Sequence, residues 1–199
     1  MANRNSAGFG FRQSGTLGNT PANQGLSQYW IDSAASVDLF NGMAMKSSGG
    51  YMITGESATT VTTIGVLYGI YYNAASTNKP TWAHWYDATI TPANSEDTQA
   101  FVNDYPFQKY TIASDTAVAA NVPAAHVKFM ETFSVNANTG GSTSTGRSTT
   151  SLEIATTHAT THSWRLLRSA EETENSDLTA AYCSLEVVQN LSEFVGTGT

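Results

Sequence analysis

The sequence predicts a mainly β protein, with a small antiparallel β-barrel or β-sandwich as its body and an extended N-terminal arm. Apolar residues recur at every second position in several short segments, whereas helical patterns are too short for a core helix. Loops rich in Thr, Ser, Asn and Gly separate these segments. We expect the arm to span residues 1–28 and the body to span residues 29–199, long enough to bury a sizeable core.

The opening segment contains five glycines and, up to residue 30, no acidic residue. Glycine raises the entropy cost of ordering a chain, and the apolar residues here fit neither a helical stripe nor a useful strand. A segment with two phenylalanines is also unlike a solvating tail, so we expect it to become ordered on another protein. The expected anchors are Phe9, Phe11 and Leu17 for burial, with Arg4 and Arg12 for orientation. Alternatively, the two arginines only keep the arm soluble.

Targeting signals do not fit this opening segment. A secretory signal needs a longer apolar run than residues 7–11 provide, and a mitochondrial presequence needs an amphipathic helix that the glycines would break. We therefore expect the arm to be retained in the mature protein.

Charge is sparse, and its balance is acidic. Asp, Glu, Lys and Arg make up 13% of the chain, about half of the typical share of roughly 25%. The net charge of −7 disfavours nucleic acid as a partner, because phosphate contacts need basic patches. No apolar run approaches the ~20 residues that span a bilayer, so no membrane partner is expected. The arginines make the arm locally cationic, which favours an acidic protein surface as its docking site.

Two strands are predicted in the first half of the body, at residues 31–40 and 61–72. An Asn-Gly turn signal follows the first strand. The second strand places Tyr68 on an apolar face, while Gly65 and Gly69 punctuate the other face. Glycines in these positions indicate a bulge, a bend or the close approach of another backbone.

The second half of the body repeats the strand pattern. Short helical turns are predicted at residues 96–101 and 115–120. Residues 127–135 place four apolar side chains on one face, which is typical of a half-buried antiparallel strand. Residues 136–150 have no apolar residue larger than alanine and predict an exposed loop or hairpin tip. Further strands are predicted at residues 107–113, 151–154, 164–168 and 182–189.

No catalytic or metal-binding pattern is complete in the sequence. His158 and His162 are four residues apart, but the segment is rich in threonine, no glutamate follows His158 and no third ligand is near. Neither a nucleophile elbow nor a phosphate-binding loop is present. The single cysteine, Cys183, shares a strand face with Leu185 and Val187, as a buried thiol does. We therefore expect no enzyme, no metal and no cofactor.

Trp82, Trp85 and Tyr86 form the one aromatic constellation in the sequence, with His84 and Asp87 beside them. Such rings serve as a sugar-stacking platform or as an interface hot spot. In the alternative structural interpretation, Trp82 and Tyr86 fill one end of a barrel.

Several motifs, taken in order, resemble a family of small virion proteins encoded beside the major capsid protein in tailed bacteriophages, many from marine or cyanobacterial hosts. These motifs are MANRNSAGFGF, LGNTP with a following Gly25, LFNGMAM, GVLYGIYY, KPTW and GRSTTSLE. The similarity covers most of the chain and weakens after Thr139. Where many relatives have Gly-Asp-Pro after the first strand, this chain has the segment Asn41-Gly42-Met43-Ala44-Met45.

The resemblance implies a capsid decoration, or cement, protein. Such a protein binds the major capsid protein on the outer surface of the shell, after assembly in the host cytoplasm, and its N-terminal arm reaches over neighbouring subunits. Decoration proteins often occupy three-fold positions, so a trimer is expected. A carbohydrate-binding module that uses the aromatic constellation remains an alternative, as does a tail or head-completion protein; an enzyme is a third alternative.

Overall fold

Two antiparallel sheets form the body of the protein in a computed structural model, which describes residues 3–18, 25–55, 62–136, 140–155 and 158–195. The strands are, in chain order, β1 (Arg12–Thr16), β2 (Ser27–Ile31), β3 (Ala44–Ser48), β4 (Tyr51–Thr54), β5 (Gly65–Ala74), β6 (Lys79–Ala83), β7 (Thr98–Asn103), β8 (Gln108–Ala113), β9 (Thr132–Phe133), β10 (Val135–Asn136), β11 (Gly141–Ser142), β12 (Arg147–Ser148), β13 (Ser151–Leu152), β14 (Trp164–Ser169) and β15 (Ser184–Gln189). The helical elements of the described residues are a 3₁₀ turn (Ala93–Ser95) and α1 (Val122–Val127).

Sheet A has the order β1-β8-β15-β14-β9, and sheet B has the order β2-β7-β5-β3-β4. In sheet B, β3 and β6 pair with successive stretches of β5. Two small pairs, β10 with β13 and β11 with β12, complete the described strands. The predicted fold class, mainly β with antiparallel sheets, is confirmed. The arrangement is that of a β-sandwich rather than of a closed barrel.

Each sheet has its own cluster of buried side chains. The cluster beneath sheet A includes Tyr110, Trp164 and Leu185, and it also takes in Ala44 and Val66 from sheet B. The cluster beneath sheet B includes Ile70 and Val102 from its strands and Tyr86 from a loop. Burial of this apolar surface is the main force that holds the two sheets together.

The N-terminal segment is part of the body as far as β1. Asn3 donates hydrogen bonds from Nδ2 to the carbonyl oxygens of Asp177 at 3.0 Å and Ala181 at 2.9 Å. Phe11 is only 3% exposed and lies in the core, and β1 pairs with β8 along its length. The prediction that Phe11 anchors an arm on another protein is therefore wrong, because the chain buries this ring itself. Residues 1, 2 and 19–24 of the predicted arm lie outside the described residues.

The predicted strand at residues 127–135 is wrong. The segment contains the end of α1, a turn with Met130 at φ 70°, and the short strands β9 and β10, which belong to different sheets. The Asn121 side chain caps the helix by accepting from the backbone N–H of Ala124, and a proline stands in the first turn. The helix end and the turn after it occupy residues 127–131, so the alternating pattern leads only to two short strands.

Three further predictions are wrong. Residues 32–40 are not a strand, and the Asp32 side chain accepts from the N–H of Ala34, as in an Asx turn. Residues 98–103 form β7 rather than a helical turn, because β2 and β5 pair with both edges of that segment. Residues 115–120 contain no helix either.

The other predicted strands are found with shifted ends. β8, β14 and β15 correspond to three of them, and β5 corresponds to the predicted strand at residues 61–72. Residues 140–150 include the hairpin of β11 and β12, as the turn-rich composition indicated, whereas residues 137–139 lie outside the described residues. The strand predicted at residues 151–154 is reduced to β13, of two residues.

Candidate protein-binding face

Three aromatic rings lie together on the outer face of sheet B, and we call them the aromatic patch: Tyr68, Trp82 and Phe101. The ring centroids of Trp82 and Phe101 are 5.0 Å apart, and those of Trp82 and Tyr68 are 6.3 Å apart. Tyr68 and Trp82 are each 44% exposed, so nearly half of each ring is in contact with water. Large apolar rings at a surface cost free energy unless a partner covers them.

The backbone of β5 explains why these rings meet outside the core. The pairing of β5 with β7 shifts register between Leu67 and Gly69, so the strand bulges and Tyr68 faces solvent. The ring of Trp82 lies over Gly69, where an added Cβ would be 2.6 Å from Cζ2 of the indole. Gly69 is therefore required for Trp82 to pack on the strand, and an added Cβ would also lie 3.0 Å from the carbonyl oxygen of Ala83, which is the close backbone approach predicted from the sequence.

A basic cleft lies beside the aromatic patch, between β1 and sheet B. Its volume is about 440 Å³, and its lining includes Arg12, His84, Arg147 and Tyr68. Tyr68 belongs to both the cleft and the aromatic patch, so the two form one continuous surface, which we call the binding face.

Two arginines, Arg12 and Arg147, line the cleft. Within the described residues, neither guanidinium has a carboxylate at ion-pair distance. The pKa of Arg12 is lowered by burial and by the nearby charge of Arg147, while Glu172 opposes this effect more weakly. The guanidinium of Arg12 also stacks over the ring of Phe9, with Cζ 3.9 Å from its centroid. Two like charges held together in this way attract an anionic group from outside the chain.

The five predicted anchor residues are dispersed in the structure. Phe11 is buried in the core and, with Arg12, lines the basic cleft, whereas Phe9 lies under the guanidinium of Arg12. Arg4 forms an exposed ion pair with Glu174, with Nη1 and Oε2 2.5 Å apart. Leu17 is 40% exposed, just after β1.

The predicted aromatic constellation does not form one platform. Tyr86 is fully buried and donates a hydrogen bond from its hydroxyl to the carbonyl of Ala35 at 3.2 Å. Trp85 stacks on Phe40, with centroids 5.1 Å apart and planes 9° from parallel. Of the three, only Trp82 presents a largely exposed ring. Tyr86 therefore fits the structural interpretation and Trp82 the interface interpretation.

Sequence reasoning missed three residues of the binding face. The sequence pattern places Tyr68 on the apolar face of its strand, Phe101 within a helical turn, and Arg147 in a loop without a role. The pair of glycines in β5 is the signal that pointed toward the face, since a bulge beside Gly69 reverses the direction of Tyr68.

His158, His162 and Cys183 contact other groups of the protein. His162 is buried, with Nδ1 3.1 Å from the carbonyl oxygen of Thr132, and His158 lies 3.8 Å from the Glu131 carboxylate. Burial raises the pKa of the Cys183 thiol, which contacts Ser114 Oγ at 3.3 Å. Across the described ranges, no group of three His, Cys, Asp or Glu residues could hold a metal ion. Nor does any helix in those ranges have the length and apolar character to cross a bilayer.

A comparison with models of known protein families found no match, and comparisons with curated proteins and with solved structures found none either.

Proposed function

We propose that this chain is a structural virion protein, a capsid decoration or cement protein that binds the outer surface of the shell formed by the major capsid protein. One observation carries the proposal: the binding face combines exposed aromatic rings with two arginines that have no acidic partner among the described residues. Tyrosine, tryptophan and arginine dominate the residues that contribute most binding energy at protein interfaces. The motifs that resemble phage decoration proteins suggest the identity of the partner.

The charge distribution favours an acidic surface on the shell. The chain has a net charge of −7 and only nine Lys and Arg residues. Two of these nine lie in the basic cleft, without an acidic partner among the described residues. In the proposal, the arginines orient the approach and the aromatic rings provide the area that is buried on contact.

Repetition over the shell would then provide the stabilisation. A standard interface buries about 1,200–2,000 Å² in total, and the same contact repeated across subunit joints acts through avidity. We include in the proposal a trimer at local three-fold positions. Light scattering coupled to gel filtration would test this part, and a monomer both in solution and on shells would contradict it.

Co-sedimentation with shells assembled from the major capsid protein alone tests the proposed function. We expect saturable binding of the wild-type chain and about 10- to 30-fold weaker binding of Trp82→Ala, as for loss of a hot-spot residue. The matched control is Phe107→Ala, which removes an aromatic ring that is 50% exposed just before β8 in sheet A. Absence of wild-type binding, or equal losses for the two variants, would contradict the proposal.

Charge variants provide a second arm of this experiment. Arg147→Ala should weaken binding and reduce its dependence on salt, because it removes a cation from the proposed contact. Arg4→Ala removes the same charge from a position paired with Glu174, outside the binding face, and should bind as the wild type does. A greater loss for Arg4→Ala than for Arg147→Ala would place the contact elsewhere.

A further inference from the structure

A second concave surface lies toward the other end of β5. It is a groove of about 540 Å³ between the turn that joins β3 to β4 and the outer part of sheet B. Residues 71–73 of β5 line this groove, whereas residues 66–68 line the basic cleft, and the two surfaces share no lining residue. The groove is therefore distinct from the basic cleft, and Tyr71 at its edge is the cross-strand partner of Trp82 in the aromatic patch.

Two rings of the groove are arranged in a row across sheet B. Trp30 of β2 pairs with Gln99 of β7, and Gln99 pairs in turn with Tyr71 of β5. One strand, β7, therefore lies between the two strands that carry the rings. Because neighbouring strands are about 5 Å apart, the backbones of β2 and β5 are about 10 Å apart. Trp30 is 44% exposed, and Tyr71 is partly exposed. Two exposed rings at this spacing offer flat apolar faces to consecutive units of an extended ligand.

Polar side chains of the groove lie between and beside these rings. Within the described residues, the side chains of Asn73, Glu96 and Gln99 make no hydrogen bond to the protein, so their donors and acceptors are available to a ligand. Asp97 is held in place, because it accepts from the N–H of Ser33 and the hydroxyl of Tyr51, each at 3.0 Å. Planar amides and carboxylates of this kind bind pairs of neighbouring hydroxyl groups.

We propose that this groove binds a neutral oligosaccharide. The C–H faces of pyranose rings would stack on Trp30 and Tyr71, and their hydroxyls would exchange hydrogen bonds with Gln99, Glu96 and Asn73. The two carboxylates of the groove disfavour a phosphate-bearing or otherwise anionic ligand. An apolar peptide would leave the amide and carboxylate groups buried without partners, at a cost in free energy.

Titration on a panel of neutral oligosaccharides, followed by intrinsic tryptophan fluorescence and calorimetry, tests this site. The panel comprises gluco-, manno-, galacto- and chito-hexaoses, with an oligogalacturonate as the anionic comparison. We expect at least one neutral hexaose to bind and the oligogalacturonate to bind at least tenfold more weakly. Absence of binding by every neutral hexaose, or preference for the anionic one, would overturn the proposal.

Variants assign the binding to the groove. Trp30→Ala should lower the affinity for the bound hexaose at least tenfold, and Gln99→Ala should lower it several-fold while retaining both rings. Phe107→Ala is the control, since it removes a ring that is 50% exposed just before β8, in sheet A and outside the groove. Hexaose affinity that is unchanged in both groove variants would overturn the proposal. Because shell binding is expected to depend on Trp82 rather than Trp30, failure of one proposal is distinguishable from failure of the other.

Discussion

The outward faces of the two sheets carry different kinds of side chain. On sheet A, the Glu186 carboxylate lies between Lys109 Nζ at 3.4 Å and Arg168 Nε at 2.8 Å, and it accepts from the Ser14 hydroxyl at 3.2 Å. On sheet B, the rings of Trp30, Tyr68 and Trp82 are each 44% exposed. The chain satisfies the charged groups of one face within itself and leaves apolar area uncovered on the other. In the proposed function, sheet A serves stability and sheet B serves contact.

The N-terminal segment contributes to this difference. It adds β1 to the edge of sheet A, and Phe11 packs in the core against Trp164, with centroids 4.1 Å apart. The segment that looked most in need of a partner is therefore one that the body covers. The strand that looked most suited to the core, β5, carries Tyr68 on its outer side.

Loss of the Phe11 ring should produce the largest change in stability. Phe11→Ala empties a core position of sheet A, which costs about 3–5 kcal/mol in free energy of unfolding. Phe9→Ala is the matched control, because its partly exposed ring contacts Arg12 rather than the core, and it should cost about 1 kcal/mol or less. Chemical denaturation measures both values. Equal and small losses would restore the N-terminal segment to the role of a free arm.

The charge of Glu186 should have an intermediate effect on stability. Glu186→Gln leaves Lys109 and Arg168 without their shared counter-charge, and we expect a loss of about 1–3 kcal/mol at neutral pH. Burial would raise the pKa of Glu186, but hydrogen bonds and charges from Arg168 and Lys109 outweigh it and lower this pKa below 4.5.

The pH dependence follows from the direction of this pKa shift. Because the pKa is lower in the folded state, the charged Glu186 stabilises the fold above the unfolded-state pKa. This stabilisation is lost as the pH falls below about 4.5 through the folded-state pKa, so the difference between wild type and Glu186→Gln should shrink there. Chemical denaturation at pH 7 and at pH 3 measures this difference in the free energy of unfolding. Glu174→Gln, in an exposed ion pair, is the control with little effect, and a difference for Glu186→Gln that does not change with pH would exclude an electrostatic origin.

Removal of an arginine from the basic cleft should have the smallest effect on stability. Arg147→Ala ends the repulsion with Arg12 and breaks no ion pair with a described residue, so the free energy of unfolding should stay the same or rise slightly. Thermal denaturation at low salt measures this most sensitively, since salt screens the repulsion. A clear loss of stability would show that Arg147 has a structural role, and the basic cleft would then resemble the outward face of sheet A.

The sequence predicted the fold class and most long strands, because strand alternation records which side chains are buried. It failed where other interactions determine structure. The end of α1 at Val127 and the turn that follows interrupt the segment predicted as a strand at residues 127–135, and pairing with β2 and β5 makes a strand of residues 98–103. These outcomes depend on a local helix and turn or on partners that are distant in sequence.

The binding face was harder to predict than the fold. Trp82 was identified as a candidate interface residue, but its true neighbours Tyr68 and Phe101 come from two other strands. A one-residue bulge at Gly69 determines which way Tyr68 points, and alternation alone places it on the wrong side. The pairing of Arg12 with Arg147 across 135 residues of sequence is likewise visible only after folding.

Covalent footprinting of the chain on assembled shells tests the central claim most directly. Carbene labelling, read by mass spectrometry, would compare free and shell-bound protein residue by residue. We predict strong protection of Tyr68, Trp82 and Phe101 on binding, with unchanged labelling around Lys109 and Arg168 on sheet A. Protection confined to the outward face of sheet A, with the aromatic patch labelled as in the free chain, would contradict the account.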